Sequence, residues 1–375
     1  MTQWIWQQPN WPHFYWDDSQ LMTRLAETSY LQGRLAAIAE QLSQTQQQET
    51  LAEVLIDDVI KTSAIEGEML PLAKVRSSVA RRLGIPQAGF EPPMENEGIV
   101  DITLDALQHQ QQPLTLERLC GWHAALFPTG YSGLHKILVG QLRGEAPMQV
   151  VSGPIGKERL HFEAPPRQGL EKELNAFLTW FNPSLATTQG FIRAAVAHLW
   201  FITLHPFEDG NGRLARTITD LGLAQSEPQA LRLYSMSREI QRQREDYYTI
   251  LEETQRGGLE ITEWLAWFLQ CLSGAMRESE NLIQQILQKA LFWHFHSQTV
   301  LNARQCKILN RLLDAGAEGF EGGMNTRKYA SLGRVSKATA SRELIDLLNK
   351  GCLVKKPGGG RSTAYEIKWV KKRID

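Results

Sequence analysis

Apolar residues at intervals of three and four run through most of this chain, and that spacing commits it to helices. Between residues 20 and 83 the series Leu21, Leu25, Leu31, Leu35, Ile38, Leu42 and then Leu51, Leu55, Val59 predicts at least two amphipathic helices. The run GIPQAGFEPP breaks the pattern, which resumes near Glu95 and again over Leu116–Leu126, ending at the breakers PTGYSG. One stretch then changes character. Between residues 149 and 166 the β-formers of MQVVSG and RLHF flank the turn GPIGKE, so a β-hairpin is expected. A lone hairpin is marginal in water and needs a helical surface to lie on.

Further helices are expected at about 169–181, 190–204, 213–224, 241–255 and 261–290. The first eighteen residues carry Trp4, Trp6, Trp11 and Trp16 in no helical period and read as an aromatic lid on the body. Near the other end, a helix at 303–315 precedes TRKYASL, the turn GRVS and KATASRELIDLLNKG, a helix-turn-helix pattern. The strand-like CLVKK and TAYEIKW, joined by PGGGRS, complete a winged helix. The expected fold is therefore mainly α: a helical bundle with a β-hairpin and a small C-terminal winged helix-turn-helix, divided at about 1–95, 96–290 and 300–375.

A length of 375 residues suits two or three packed units, and 42% hydrophobic with 22% charged residues excludes a disordered or collagenous chain. The chain has no run of 18 apolar residues and no basic-then-apolar leader, so a soluble, cytoplasmic protein without membrane contact is expected. Cys120, Cys271, Cys306 and Cys352 stand far apart without a CxxC pair, which supports neither a zinc site nor a disulfide framework. They read as reduced thiols, mostly buried. From Asn325 onward thirteen Lys or Arg face four acids, a surplus of nine positive charges in a chain of net charge -1.

Chemistry concentrates in HPFEDGNGRLAR, from His205 to Arg216. Pro206 to Gly212 reads as a short loop between two helices, where glycines let backbone N–H groups converge and the following helix adds its positive end, a setting for phosphate. Arg213 and Arg216 lie three apart on one face and can grip successive phosphates. Asp209 offers a hard oxygen to Mg²⁺, which takes one or two carboxylates plus substrate phosphates. His205 can then accept a proton. A base, a metal ligand, a Gly-Asn-Gly nest and two arginines within twelve residues have no packing use together.

This segment resembles the Fic family signature, HxFx(D/E)GN(G/K)RxxR, and matches it at every fixed position. The resemblance covers roughly residues 20–290 and implies a protein adenylyltransferase: AMP moves from Mg-ATP to a Tyr, Thr or Ser hydroxyl of a target protein, or of the chain itself. In that reading His205 deprotonates the hydroxyl and Asp209 binds Mg²⁺. Gly210, Asn211 and Gly212 hold the α- and β-phosphates, Arg213 also grips phosphate, and Arg216 takes the γ-phosphate. The hairpin resembles the Fic flap, with Leu160, His161 and Phe162 as clamp residues for the target's extended segment. Tyr247 and Gln255, in REDYYTILEETQ, match a region that contacts adenine, although core packing explains the tyrosine equally well.

A second motif, TSAIEG at Thr62 to Gly67, resembles the family's inhibitory (S/T)xxxE(G/N), whose glutamate, here Glu66, pairs with Arg216 and denies it to the γ-phosphate. Read alone, it is an ordinary helix end capped by Gly67. Certain inhibited relatives use this glutamate to orient water and remove AMP, so a de-AMPylase, or another phospho-group transferase on the same loop, is the alternative. A DNA-binding regulator with a vestigial core is the other, through Lys337, Thr339 and Arg342 on the second tail helix and Lys355, Lys356 and Arg361 on the wing. GPIGKE and PGGGRST lack phosphate-loop spacing, and His198 stands seven residues from His205, which is not a zinc pair. A homodimer is compatible with the chain, but no residue pattern specifies one.

Overall fold

The computed structural model describes residues 4–85, 97–154, 156–186, 188–227, 232–316, 320, 322–357 and 363–369. Most of GIPQAGFEPP, and Arg361 with the wing tip, lie outside the described residues. The chain divides into two compact units, Met1–Ser279 and Glu280–Asp375.

The first unit is built on α1 (Asp18–Ala39), α2 (Gln44–Ile65), α3 (Leu72–Arg82), α4 (Gly98–Gln108) and α5 (Leu116–Leu126). Then come the short strands β1 (Tyr131–Ser132) and β2 (His135–Lys136), followed by β3 (Gln149–Ser152) and β4 (Arg159–Glu163). It continues with α6 (Leu170–Phe181), α7 (Gly190–Leu204), α8 (Asn211–Ser226), α9 (Met236–Arg242) and α10 (Arg244–Gln255), and α11 (Thr262–Phe295) gives residues to both units. Starts follow local chemistry: Ser43 caps α2 in a reciprocal box with Gln46, and Thr115 caps α5 through Arg118 N–H.

Helix α7 is buried from Phe191 to Leu204 and packs along α8, where Gly222 faces Ala194 closely enough that a Cβ would sit 3.4 Å from the Ala194 Cβ. Its one internal charge, Arg193, donates to Phe181 O and Ser184 Oγ and lies 4.0 Å over the Phe181 ring. Burial pushes that guanidinium down to about 10. Between α7 and α8 the chain has only six residues to reverse, which sets the functional loop at one end of the most buried helix pair.

Strands β3 and β4 pair antiparallel as Gln149↔Glu163, Val150↔Phe162, Val151↔Leu160 and Ser152↔Arg159, so His161 is the extra residue of a bulge. The hairpin does lie on helices: Glu252 of α10 accepts from Arg159, and Arg256 donates to Leu160 O at 2.7 Å. The N-terminal tryptophans close over it. Trp4 meets Phe162 edge-on at 5.3 Å, Trp6 donates to Glu163 O, and Trp11 donates to Glu173 while packing on Trp200.

Three sequence expectations change. PTGYSG is not only a break, because Tyr131–Ser132 and His135–Lys136 form a second small hairpin there. Helix α8 starts at Asn211 rather than Arg213, since Gly210 takes the left-handed conformation (φ 78°) that turns the chain into it. Only Cys271 and Cys352 are buried, with Cys120 and Cys306 partly exposed, and all four are free.

The second unit holds α12 (Ala303–Asp314), α13 (Thr326–Gly333), α14 (Lys337–Asn349) and the antiparallel pair β5 (Leu353–Lys355) and β6 (Tyr365–Ile367). Leu309, Tyr329, Leu344, Leu347 and Leu353 form its core, and the Tyr329 hydroxyl donates to Glu343, which also binds Arg304. Lys337 and Arg342 are exposed on α14, Thr339 is partly buried, and Lys355 ends β5. No helix among the described residues is long and apolar enough to cross a membrane.

Candidate active site

The turn from α7 into α8 is pinned from inside. Phe207 is fully buried and stacks on His123 at 4.3 Å, and Asn211 closes the loop with both ends of its amide, accepting from Phe207 N–H at 3.0 Å and donating to Phe207 O at 2.8 Å. The Asn211 side chain is therefore spent on the loop, which leaves its backbone N–H for a ligand. No side chain caps α8, so the first-turn amides stay open, as a helix N-terminus that receives an anion requires. Gly210 serves the turn instead. Its own N–H goes to Asp209 Oδ1 at 2.5 Å, and a Cβ there would press to 2.9 Å from the Phe127 ring.

His205 ends α7 in the left-handed region (φ 48°, ψ 57°), one of two described non-glycine residues with positive φ. Its Nδ1 lies 3.1 Å from Ile202 O. A carbonyl can only accept, so Nδ1 carries the proton and Nε2 is the basic nitrogen. Burial pushes the imidazole below its ordinary value, and the Arg143 charge adds to that, so the ring is held neutral.

A cavity of about 670 Å³ opens before this turn. His205, Asp209, Gly210, Asn211 and Gly212 line one side, with Glu66 beside them, and Tyr247 and Gln255 line another. His161 and Phe162 of the hairpin also face it. Leu160 does not line it but packs with Trp4 under the aromatic segment. Tyr247 is both buried and part of the wall: its hydroxyl meets His198 Nε2 at 2.9 Å, and His198 Nδ1 meets Thr219 at 2.8 Å. His198, driven down to about 3 by burial, is a neutral core group. Gln255 donates to Thr203 Oγ1 at 3.2 Å.

Arg216 is 2% exposed and already engaged: Nε donates to Thr62 Oγ1 at 2.7 Å, Nη2 to Thr62 O at 3.0 Å and to Glu66 Oε1 at 2.7 Å. Glu66 sits on the first turn of α8, where a Cβ on Gly212 would collide with its Oε1. The end of α2 that presents it is a glycine cap as well: Gly67 is left-handed (φ 84°), Glu68 N–H returns to Ser63 O and Gly67 N–H to Ala64 O. Both readings of TSAIEG thus describe one object.

Sequence reasoning missed several residues here. Glu68 binds Arg213 Nη1 at 3.2 Å, Arg244 and Tyr248 both reach Ile65 O, and Ser132 donates to Asp209 Oδ2. Glu208 accepts from Leu138 N–H, which ties the loop to the chain after β2. Only the acidic Glu68, two places from Glu66, carried a visible signal.

The Fic/DOC family profile matches residues 113–223, which span α5 to α8 and the whole turn. The chain carries a Fic/DOC family domain. Ahead of the Fic domain, residues 4–85 match a family described as "Domain of unknown function (DUF4172)". A curated relative, "Protein adenylyltransferase Fic" of Nematostella vectensis, is 24% identical over 229 residues, covering 59% of this chain and 48% of that protein. The chain thus spans about half the length of the curated relative it matches.

Two crystal structures share the fold. A Fic family protein from Desulfovibrio desulfuricans G20 has a TM-score of 0.52 at 19% identity, with 94% of this chain and 97% of that one covered. A Fic domain containing signaling protein from Bacteroides thetaiotaomicron VPI-5482 has a TM-score of 0.50 at 16% identity, with 72% and 96% covered.

Proposed function

We propose that this chain is a protein adenylyltransferase that moves AMP from ATP to a Tyr, Thr or Ser hydroxyl of a target protein or of itself, held in check by the end of α2. The observation that carries this reading is the cavity in which the basic Nε2 side of a neutral His205 shares a wall with the open first turn of α8. The Fic domain and the name of the Nematostella relative support it.

In this reading the amides of Asn211 and Gly212 take phosphate oxygens, and Arg213 and Arg216 neutralise the rest of the triphosphate. The target hydroxyl gives its proton to His205 Nε2, its oxygen bonds to the α-phosphorus, and the bond to the bridging oxygen breaks to release pyrophosphate. The edge of β3 is open to pair with an extended target segment, which would bring a hydroxyl past His161.

Asp209 fits Mg²⁺. No group of three or more His, Cys, Asp or Glu among the described residues cages a metal, but magnesium needs only one or two carboxylates when phosphates supply further oxygens. Bound there with the nucleotide, it would neutralise charge on the departing pyrophosphate.

The brake has two prongs. Glu66 occupies Arg216 and Glu68 occupies Arg213, so both arginines are neutralised before ATP arrives. On an uninterrupted helix residues two apart point to different faces; the left-handed turn at Gly67 is what brings both carboxylates onto α8. Glu68 is 45% exposed, so its share is small, and Glu68→Gln should tighten ATP about two- to five-fold while leaving AMP binding unchanged. Calorimetry with both nucleotides checks this. Equal tightening for AMP would remove Glu68 from the brake.

The reaction itself is tested with ATP labelled at the α- or the γ-phosphorus. AMP transfer labels protein only from the first. Label arriving only from the γ-position would replace adenylylation with phosphoryl transfer on the same loop.

A further inference from the structure

We infer that Arg143, in the irregular segment between β2 and β3, is the positioning residue that holds His205 in its working conformation and fixes the hairpin's base to it. The inference rests on the proposed role of His205 as base.

His205 is not a glycine, yet it is left-handed, and it precedes Pro206, whose ring favours extended backbone in the residue before it. Such a conformation is costly and persists only when surrounding contacts over-determine it. Arg143 supplies those contacts from both sides of the His205–Pro206 unit: its Nε donates to His205 O at 2.9 Å and its backbone N–H donates to Pro206 O at 2.9 Å. The third contact leaves the loop. Nη2 donates to Pro165 O at 2.5 Å, two residues past the end of β4.

The chemistry of the site makes this choice of residue unusual. Arg143 is 2% exposed and forms no ion pair among the described residues, and burial with the neighbouring Arg167 charge pushes its guanidinium down from its ordinary value. An unpaired buried cation is costly, so a packing role alone would be met better by an apolar side chain. What an apolar side chain cannot do is donate at once to two carbonyls from separate segments, which the planar guanidinium does. Its own carbonyl is in turn held by Arg167 Nε at 2.8 Å, which orients the residue from outside.

The consequence is kinetic. A ring displaced by an ångström from the incoming hydroxyl loses turnover while the phosphate-binding amides, on α8, keep their grip. In the full chain carrying Glu66→Gly, Arg143→Lys keeps a positive charge but reaches only one of the two carbonyls. It should lower kcat for AMP incorporation about ten- to a hundredfold with KM for ATP within about two-fold. Arg143→Met, with no donor, should fall at least as far.

Thermal melting of each variant with and without ATP separates misfolding from mispositioning, and Arg143→Lys alone decides if the methionine variant does not fold. A kcat unchanged in Arg143→Lys, or a fall in kcat matched by an equal rise in KM, overturns the inference. Failure of the underlying reading looks different: His205→Ala would then incorporate AMP as well as its parent does.

Discussion

Replacing His205 with alanine is expected to lower AMP incorporation by about 10²- to 10⁴-fold, the range that a positioned general base contributes, with ATP affinity nearly unchanged. The split follows from geometry. Nothing in the phosphate nest depends on the imidazole, since the loop is held by Phe207 and by both ends of the Asn211 amide. The ring contributes one thing, an unprotonated Nε2 aimed into the cavity, because Nδ1–H is committed to Ile202 O. Measured incorporation of α-labelled ATP, alongside calorimetric ATP binding, reads both halves of the expectation.

The pH dependence has a definite sign. Burial, reinforced by the Arg143 charge, lowers the His205 pKa from its ordinary 6.5, so the base is already neutral at physiological pH. The rate should therefore stay level through neutrality and fall only as pH drops below about 6.5, through the depressed folded value. The same shift costs stability on the acid side, because the unfolded chain takes up a proton there before the folded one does. A rate that fell on approaching neutrality from above would mean that the imidazole is charged in the working enzyme.

How much of this was legible beforehand depends on where the physics was local. Helices α5 and α7 could be bounded closely from sequence, because apolar period, a Thr115 cap and the His205–Pro206 stop all act within a few residues. The start of α8 could not. Its cap is a left-handed glycine with no capping side chain, so no Ser, Thr or Asp announced it. The twelve-residue signature named the main partners of the site, yet the contacts that hold them come from elsewhere in the chain. Arg143 is a single arginine in an irregular stretch, 62 residues from the carbonyl it binds. Glu68 was overlooked because helical spacing sets residues 66 and 68 on different faces, and only the Gly67 turn reunites them. Leu160 was named a clamp residue through the flap resemblance, together with His161 and Phe162; only the latter two line the cavity, while Leu160 packs with Trp4.

Glu66→Gly tests the brake, and it is expected to act in opposite directions on stability and on activity. Without nucleotide, Arg216 is a buried cation whose carboxylate has been removed; it keeps two hydrogen bonds to Thr62 but loses its counter-charge. The apo protein should melt lower, by an amount corresponding to about 1–3 kcal/mol, because an uncompensated buried charge is left behind. The glycine itself adds little, since position 66 is already the C-cap and its backbone is one that any residue adopts. With ATP the sign reverses. The γ-phosphate no longer has to displace a carboxylate that is about one-third exposed, so affinity should rise at least about ten-fold, and AMP incorporation more steeply because the bound triphosphate can seat correctly. Melting curves with and without ATP, beside incorporation of α-labelled AMP, measure both effects on one preparation. A variant that melts lower yet incorporates AMP no faster than wild type would leave the Glu66–Arg216 pair as a structural tie and remove inhibition from its role.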